Sequence, residues 1–180
     1  DRVNPVALAE QNDAFLVPVT YMNSSADLKD FVGRHGGIVC TSTNASGALQ
    51  WAFDRAGEGG SVLFFPDQHL GRNTGASMGI DQALMPTWTP GIGAMGKLDG
   101  SRIILRHGFC SVHKRFTVAQ IDDFREREPE GIVVVHPECP IETVEASDAN
   151  GSTQYIRNFV QQQDPGSKIA IGTEINMVAR

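Results

Sequence analysis

The chain has 180 residues, 41% of them hydrophobic, with 15 Lys+Arg against 21 Asp+Glu and a formal charge of −6. That length and apolar share predict one or two folded domains rather than disorder, and an acidic balance without a basic run makes nucleic acid and anionic membrane poor partners. No apolar stretch approaches a membrane span, and the opening DRVNPVALAEQ has neither the basic nor the apolar region of a secretory leader, so a cytoplasmic location is expected. Three widely separated cysteines, Cys40, Cys110 and Cys139, do not suggest a disulfide framework and suit a reducing compartment.

In chain order, FLVPVT (15–20) predicts a strand ending at Tyr21, and NSSADLKDFV a helix with Ser24 or Ser25 as its N-cap and Leu28, Phe31 and Val32 on one face. Gly36 and Gly37 stop that helix, and GIVC (37–40) is a second strand. TSTNASGALQWAFDRAG places hydroxyls at the start of a helix that turns Leu49, Ala52 and Phe53 inward and ends near Gly57; SVLFF (61–65) is a third strand. Residues 71–100 hold seven glycines and no convincing periodicity. SRIILR (101–106) is a fourth strand, running into HGFCSVH. TVAQIDDFRERE (117–128) is a connecting helix with Thr117 and Gln120 spaced as a capping box.

From residue 132 the same order of parts returns. IVVV is a strand ending at His136, PIETVEA a short helix, Asn150-Gly151-Ser152-Thr153 leads into a helix with Ile156, Phe159 and Val160 inward, and KIAIG is a strand closing on Thr173-Glu174. Alternating strands and helices predict parallel sheets with helices on both faces. The expected fold is α/β: two similar three-layer α/β/α units with parallel four-stranded sheets, the first over 10–114 with a glycine-rich insert at 71–100, the second over 115–180. The second is expected to be incomplete, because the chain stops where the helix after its third strand begins.

Polar groups at strand ends mark candidate sites. Tyr21 and Asn23, and likewise His136 and Glu138, stand two apart and so point to one side of their sheet. Tyr and Asn at such a place also cap helices, whereas a His-Pro-Glu turn offers an acid/base carboxylate beside an imidazole. Ser42 and Ser152-Thr153 lie at helix starts, where backbone N–H groups attract an anion; capping accounts for one hydroxyl at each. His107, Cys110 and His113 have spacings that zinc could use, and an iron–sulfur cluster is the other use for Cys110. Cys40 and Cys139 are expected to be packed rather than ligating.

The strings YMNSSADLKDFV, CTSTNA, LFFPDQHLG, GFCSVHKRF, HPECPIETVEASDANGST and IGTE resemble, in order and spacing, the central portion of quinolinate synthase, an iron–sulfur enzyme of NAD biosynthesis. The resemblance covers nearly the whole chain apart from 71–100. It implies repeated α/β/α units with an active site where they meet, and condensation of iminoaspartate with dihydroxyacetone phosphate to quinolinate, losing phosphate and two waters. It further implies a [4Fe-4S] cluster held by one cysteine from each of three units, of which Cys110 is the ligand here, and one open iron acting as a Lewis acid. By the same matching, Tyr21, Met22, Asn23 and Ser42 bind the substrate dicarboxylate from the first unit, and His136, Pro137, Glu138, Ser152 and Thr153 from the second. Glu138, with His136 and Tyr21, is the implied catalytic group, and L-aspartate oxidase the implied supplier of iminoaspartate. Arg106 stands where the family has an aromatic residue, and the other two cluster cysteines have no counterpart in this chain, so the piece alone is expected to be inactive and without a cluster. Two other readings of the residues are a zinc-dependent hydrolase using His107, Cys110 and His113, and a non-catalytic dicarboxylate-binding domain.

Overall fold

The structure, a computed structural model, describes residues 15–178. The first-unit start expected at residue 10 and the chain end at 179–180 lie outside them. The chain divides into two compact units between Gly108 and Phe109. The boundary thus falls ahead of HGFCSVH's last five residues, which hydrogen bonding ties to the second unit: His113 to Thr173, and the Phe116 carbonyl to Thr143.

In the first unit the elements are β1 (Leu16–Tyr21), α1 (Ala26–Arg34), β2 (Ile38–Cys40), α2 (Ala45–Ala56), β3 (Ser61–Phe65), α3 (Gln68–Ser77), β4 (Thr87–Thr89), β5 (Gly93–Met95) and β6 (Ile103–Arg106). The sheet order is β2-β1-β3-β6-β4-β5, parallel throughout except for the antiparallel β4–β5 pair. The four predicted strands are therefore contiguous and parallel, and two short ones extend the sheet.

The pleat sorts side chains between two layers. Val17, Val19, Val62, Phe64, Ile103 and Leu105 pack under α2 and α3. Leu63, Phe65 and Ile104 face the other way, against Val32 of α1 and Trp88. Burying a Phe or Leu completely is worth roughly 1.5–3 kcal/mol, and Leu63, Phe64, Phe65 and Leu105 are all fully buried. Helix α1 starts on Ser25, whose hydroxyl accepts from Leu28 N at 3.3 Å.

The segment without visible periodicity begins inside α3, which runs on to Ser77. Asp67 caps it, accepting from Leu70 N at 2.8 Å. Its glycines serve close approach: a Cβ on Gly71 would lie 2.6 Å from Leu105 Cδ2, and one on Gly75 would lie 2.5 Å from Met85 Sδ. Helix propensity is given up here so that the backbone can lie directly on the sheet.

The second unit contains α4 (Val118–Arg127), β7 (Ile132–Val135), α5 (Ile141–Ala146), β8 (Ala149–Asn150), α6 (Thr153–Gln161), β9 (Ile169–Gly172) and α7 (Ile175–Val178). Its parallel sheet has the order β8-β7-β9. Val133, Val135 and Ala170 pack against Ile121, Phe124 and Val144 of α4 and α5. Val134 and its register partner Ile171 face the opposite side, where Ile171 shares a groove with Ile156 of α6. Both units are thus helix–sheet–helix, which is the predicted fold class.

Asp148 ties this unit together: Oδ2 accepts from Val133 N at 2.7 Å and Oδ1 from Arg125 Nη2 at 3.0 Å. The predicted capping box is present. Thr117 N donates to Gln120 Oε1 at 2.9 Å, and Gln120 N to Thr117 Oγ1 at 3.4 Å. Thr117→Ala should therefore lower stability by about 1 kcal/mol, read as a shift in the urea midpoint of this unit; an unchanged midpoint would show that the cap contributes nothing.

Candidate functional site

Strand β7 is a β-branched run buried on both faces, so its C-terminal end carries the chain to the carboxyl edge of the second sheet. At that edge stand His136, Pro137, Glu138 and Cys139, all buried. Glu138 is only 6% exposed and His136 3%. The predicted turn is present, but it is covered rather than presented to solvent. His113 and Cys110, from the stretch just before it in the second unit, lie against the turn.

His113, considered from sequence only as a zinc ligand, lies at the centre of this cluster. Its ring stacks on His136 with centroids 4.5 Å apart and planes 18° from parallel. Glu138 Oε2 is 3.3 Å from His113 Nδ1 and 3.3 Å from His136 Nδ1. Burial pushes the His136 imidazole down to about 3, with repulsion from His113 adding to the effect. Burial also lowers His113, and the negative charge of Glu174 offsets part of that. Both rings are therefore neutral near pH 7, and their contacts with Glu138 are not ion pairs.

A hydrogen bond fixes the tautomer of His136. Glu138 N donates to His136 Nδ1 at 3.3 Å, so that nitrogen carries a lone pair. His113 Nε2 is 3.1 Å from Thr173 Oγ1, and His113 Nδ1 is buried without a hydrogen-bond partner. The Thr173 hydroxyl can donate to or accept from His113 Nε2, so either ring nitrogen of His113 can carry the proton. The two Nδ1 atoms thus both lie 3.3 Å from Glu138 Oε2.

The cysteine falls beside them. Cys110, His113 and Glu138 each offer a ligand atom, all within 4.8 Å of one another. Lys114 N donates to the Cys110 carbonyl at 3.1 Å, and the Lys114 ammonium lies 3.8 Å over the Phe109 ring, which holds this turn in shape. His107, the third member of the zinc set expected from sequence, is not in the group: it belongs to the first unit, with Nδ1 3.4 Å from Gln68 Nε2. Glu138 takes its place. The other two cysteines are packed, as expected: Cys139 is fully buried with Sγ 3.7 Å from Gly172 O, and burial pushes the Cys40 thiol up to about 12.

At the helix starts the expectation holds once and fails once. Ser152 is the N-cap of α6, buried, accepting from Tyr155 N at 3.3 Å, and Thr153 is the first helical residue and exposed. Ser42 is not at a cap. Helix α2 starts later than expected, on Asn44, because Asn44 Oδ1 accepts from Thr41 N at 2.6 Å and Thr41 Oγ1 at 3.0 Å, which folds 41–44 into a turn with Ser42 inside it. At the end of β1, Tyr21 is buried, while Met22 and Asn23 are exposed and Met22 N donates to Cys40 O at 2.7 Å.

The sequence model of the family described as "Quinolinate synthetase A protein" matches residues 3–180. The chain belongs to the quinolinate synthetase A family. It is 56% identical over 172 residues to the quinolinate synthase of Corynebacterium glutamicum, a match covering 93% of this chain and 43% of that protein. It is 49% identical over 170 residues to the Rhodopirellula baltica quinolinate synthase, covering 92% and 43%, and 48% identical over 168 residues to that of Bacillus subtilis, covering 92% and 45%. This member of the quinolinate synthetase A family thus spans less than half the length of each of these relatives. No helix among its described residues is long and apolar enough to cross a membrane.

Proposed function

We propose that this chain serves quinolinate synthesis, as a transferase of NAD biosynthesis in the cytoplasm that condenses iminoaspartate with dihydroxyacetone phosphate. The observation that carries it is the buried His136–Glu138 turn, with Glu138 Oε2 3.3 Å from two neutral imidazoles, in a chain 56% identical to a quinolinate synthase. The two α/β/α units are two copies of one design, and L-aspartate oxidase supplies the iminoaspartate. Tyr21, Met22, Asn23 and Ser42 in the first unit, and His136, Pro137, Ser152 and Thr153 in the second, bind substrate carboxylates. Tyr21 and His136 also orient the reacting groups.

Glu138 is the proton carrier. As a carboxylate it takes the proton from the carbon beside the imine, which gives the enamine, and as the acid it returns a proton to a departing hydroxyl in dehydration. The neutral imidazoles of His113 and His136 beside it accommodate either form without adding a buried positive charge.

A [4Fe-4S] cluster would supply an open iron as a Lewis acid, with Cys110 as its ligand here. The donor set does not fit such a cluster by itself: of the three thiols, Cys40 and Cys139 are locked in hydrophobic cores and Cys110 alone is partly open. The 180-residue chain is therefore proposed to be inactive unless thiolates from outside it are present.

The test is a chimaera in which residues 15–178 replace the matching segment of the Corynebacterium glutamicum enzyme. Quinolinate formation from iminoaspartate and dihydroxyacetone phosphate under nitrogen is expected. A folded, cluster-loaded chimaera that binds dicarboxylates but forms no quinolinate would leave the dicarboxylate-binding domain as the better reading.

A further inference from the structure

Between α3 and the β4–β5 hairpin of the first unit lies a cleft of about 430 Å³, walled by Gln68, Arg72, Gln82, Thr87 and His107 and otherwise by alanine, methionine, proline and glycine. No acidic side chain lines it. Arg72, from the second turn of α3, is half-buried there. Its Nη2 donates to Thr87 Oγ1 at 3.1 Å, and among the described residues this neutral hydroxyl is the one hydrogen-bond partner of the guanidinium. Burial lowers Arg72 from the usual arginine range, with no neighbouring charge contributing. An arginine in a protein stays protonated, so the cleft holds a cation drawn partly out of water without an anion to repay it.

The donors select the class of anion. Four N–H groups of the guanidinium remain after the bond to Thr87, and the Thr87 hydroxyl, having accepted from Arg72, keeps its own proton to give. Gln68 Nε2 and His107 Nδ1, 3.4 Å apart, form one edge, and the Gln82 amide stands on another element. A carboxylate presents two oxygens in one plane. Donors arriving from α3, from the start of β4 and from the turn before it suit the tetrahedral oxygens of phosphate, on which an arginine fork binds two at once. The space exceeds a phosphate ion several-fold, and Met85 and Met95 give the remainder an apolar wall. Gly96 keeps that side open, since a Cβ on it would lie 3.1 Å from Pro86 Cβ. The room beyond the anion therefore fits a small organic body.

We propose that this cleft binds a small phosphate monoester, with the Arg72 guanidinium forked on two phosphate oxygens and Thr87 donating to a third. No bond is made or broken in it. It uses none of Tyr21, Met22, Asn23 or Ser42, so its failure leaves the proposed function untouched, and the reverse also holds.

The 180-residue chain, in buffer free of phosphate, is titrated with glycerol 3-phosphate and separately with inorganic phosphate, followed by amide and arginine side-chain NMR signals. Saturable shifts are expected at Arg72 Nε and at the Thr87 and Gly96 amides, with the ester bound more tightly than the free ion. Arg72→Gln should weaken ester binding about 10–100-fold, as loss of hydrogen bonds to a charged group does. Arg34→Gln, which removes an exposed cation of the same unit, should bind as the parent does. Absence of these shifts with both anions overturns the proposal, as does parental affinity in Arg72→Gln. Equal affinity for the two anions overturns the ester and leaves free phosphate as the ligand, and an equal loss in Arg34→Gln overturns the site in favour of diffuse charge attraction. Should Arg72→Gln not fold, Gln82→Glu decides. It sets a carboxylate in the cleft wall at an exposed position and should weaken ester binding about tenfold or more; parental affinity in that variant also overturns the proposal.

Discussion

Glu138→Gln lowers the turnover of the chimaera by about 10²–10⁴-fold, the usual contribution of a positioned acid/base, and leaves dicarboxylate affinity within a few-fold of the parent. The substitution preserves shape, which matters for a side chain 6% exposed beside two stacked rings. The glutamine amide fills the same volume beside both Nδ1 atoms, and the donation from the residue 138 N–H to His136 Nδ1 is kept, so folding is not the expected casualty. What disappears is the ability to hold and return a proton. The loss should fall on kcat rather than on KM, since a group that acts on the proton in flight contributes to the transition state and not to the bound substrate. Turnover that persists in Glu138→Gln within a few-fold of the parent removes Glu138 from proton transfer. Affinity lost together with turnover would instead make it a binding residue alone.

Where the sequence was legible, local chemistry agreed with the global fold. Apolar runs at 16–21, 61–65, 103–106, 132–135 and 169–172 form strands at those places, and Ser25, Thr117 and Ser152 begin the helices as their side chains suggest. Helix α3 was hidden because its sequence, QHLGRNTGAS, serves the neighbouring layer before its own backbone: Gly71 and Gly75 are there for Phe64, Leu105 and Met85 to fit against. A periodicity count sees two helix breakers, while the fold uses two gaps. Ser42 misled because several hydroxyls precede α2, and the choice of cap went to Asn44 through its bonds to Thr41.

The site was half visible for a different reason. His136 and Glu138 are neighbours in sequence, so the pleat of one strand predicts their common direction. His113 comes from a turn outside that strand, and its partner Thr173 is sixty residues further along. The G-x-C-x-V-H string drew attention to it, yet nothing local says that the ring will stack on His136 rather than reach His107's side. Burial of the turn was not legible on the same ground, because the packing over it is tertiary.

Burial of His136 should also give the metal-free chain an acid weakness. Its imidazole is pushed down to about 3 in the folded protein, first by burial and then by His113, against about 6.5 when unfolded. Between those values the unfolded state binds the extra proton, so stability is whole above about pH 6.5 and falls as the pH drops through the window. The linkage amounts to about 2–3 kcal/mol by about pH 4.5 and at most roughly 4–5 kcal/mol at its lower end. Both neighbours facing the ring bear on the size: the His113 imidazole, itself lowered, steepens the fall, and the Glu138 carboxylate at 3.3 Å resists it for as long as it stays ionised. Urea unfolding of the chelator-treated chain and of His136→Asn, followed from about pH 7 to about pH 4.5, separates this group from the rest. The variant should be less stable at neutral pH and show the shallower slope, because it has no imidazole to protect from protons at that place. Parallel slopes for the two proteins would mean that His136 takes up its proton without unfolding anything, and hence that the cover over the Glu138 turn opens readily to water.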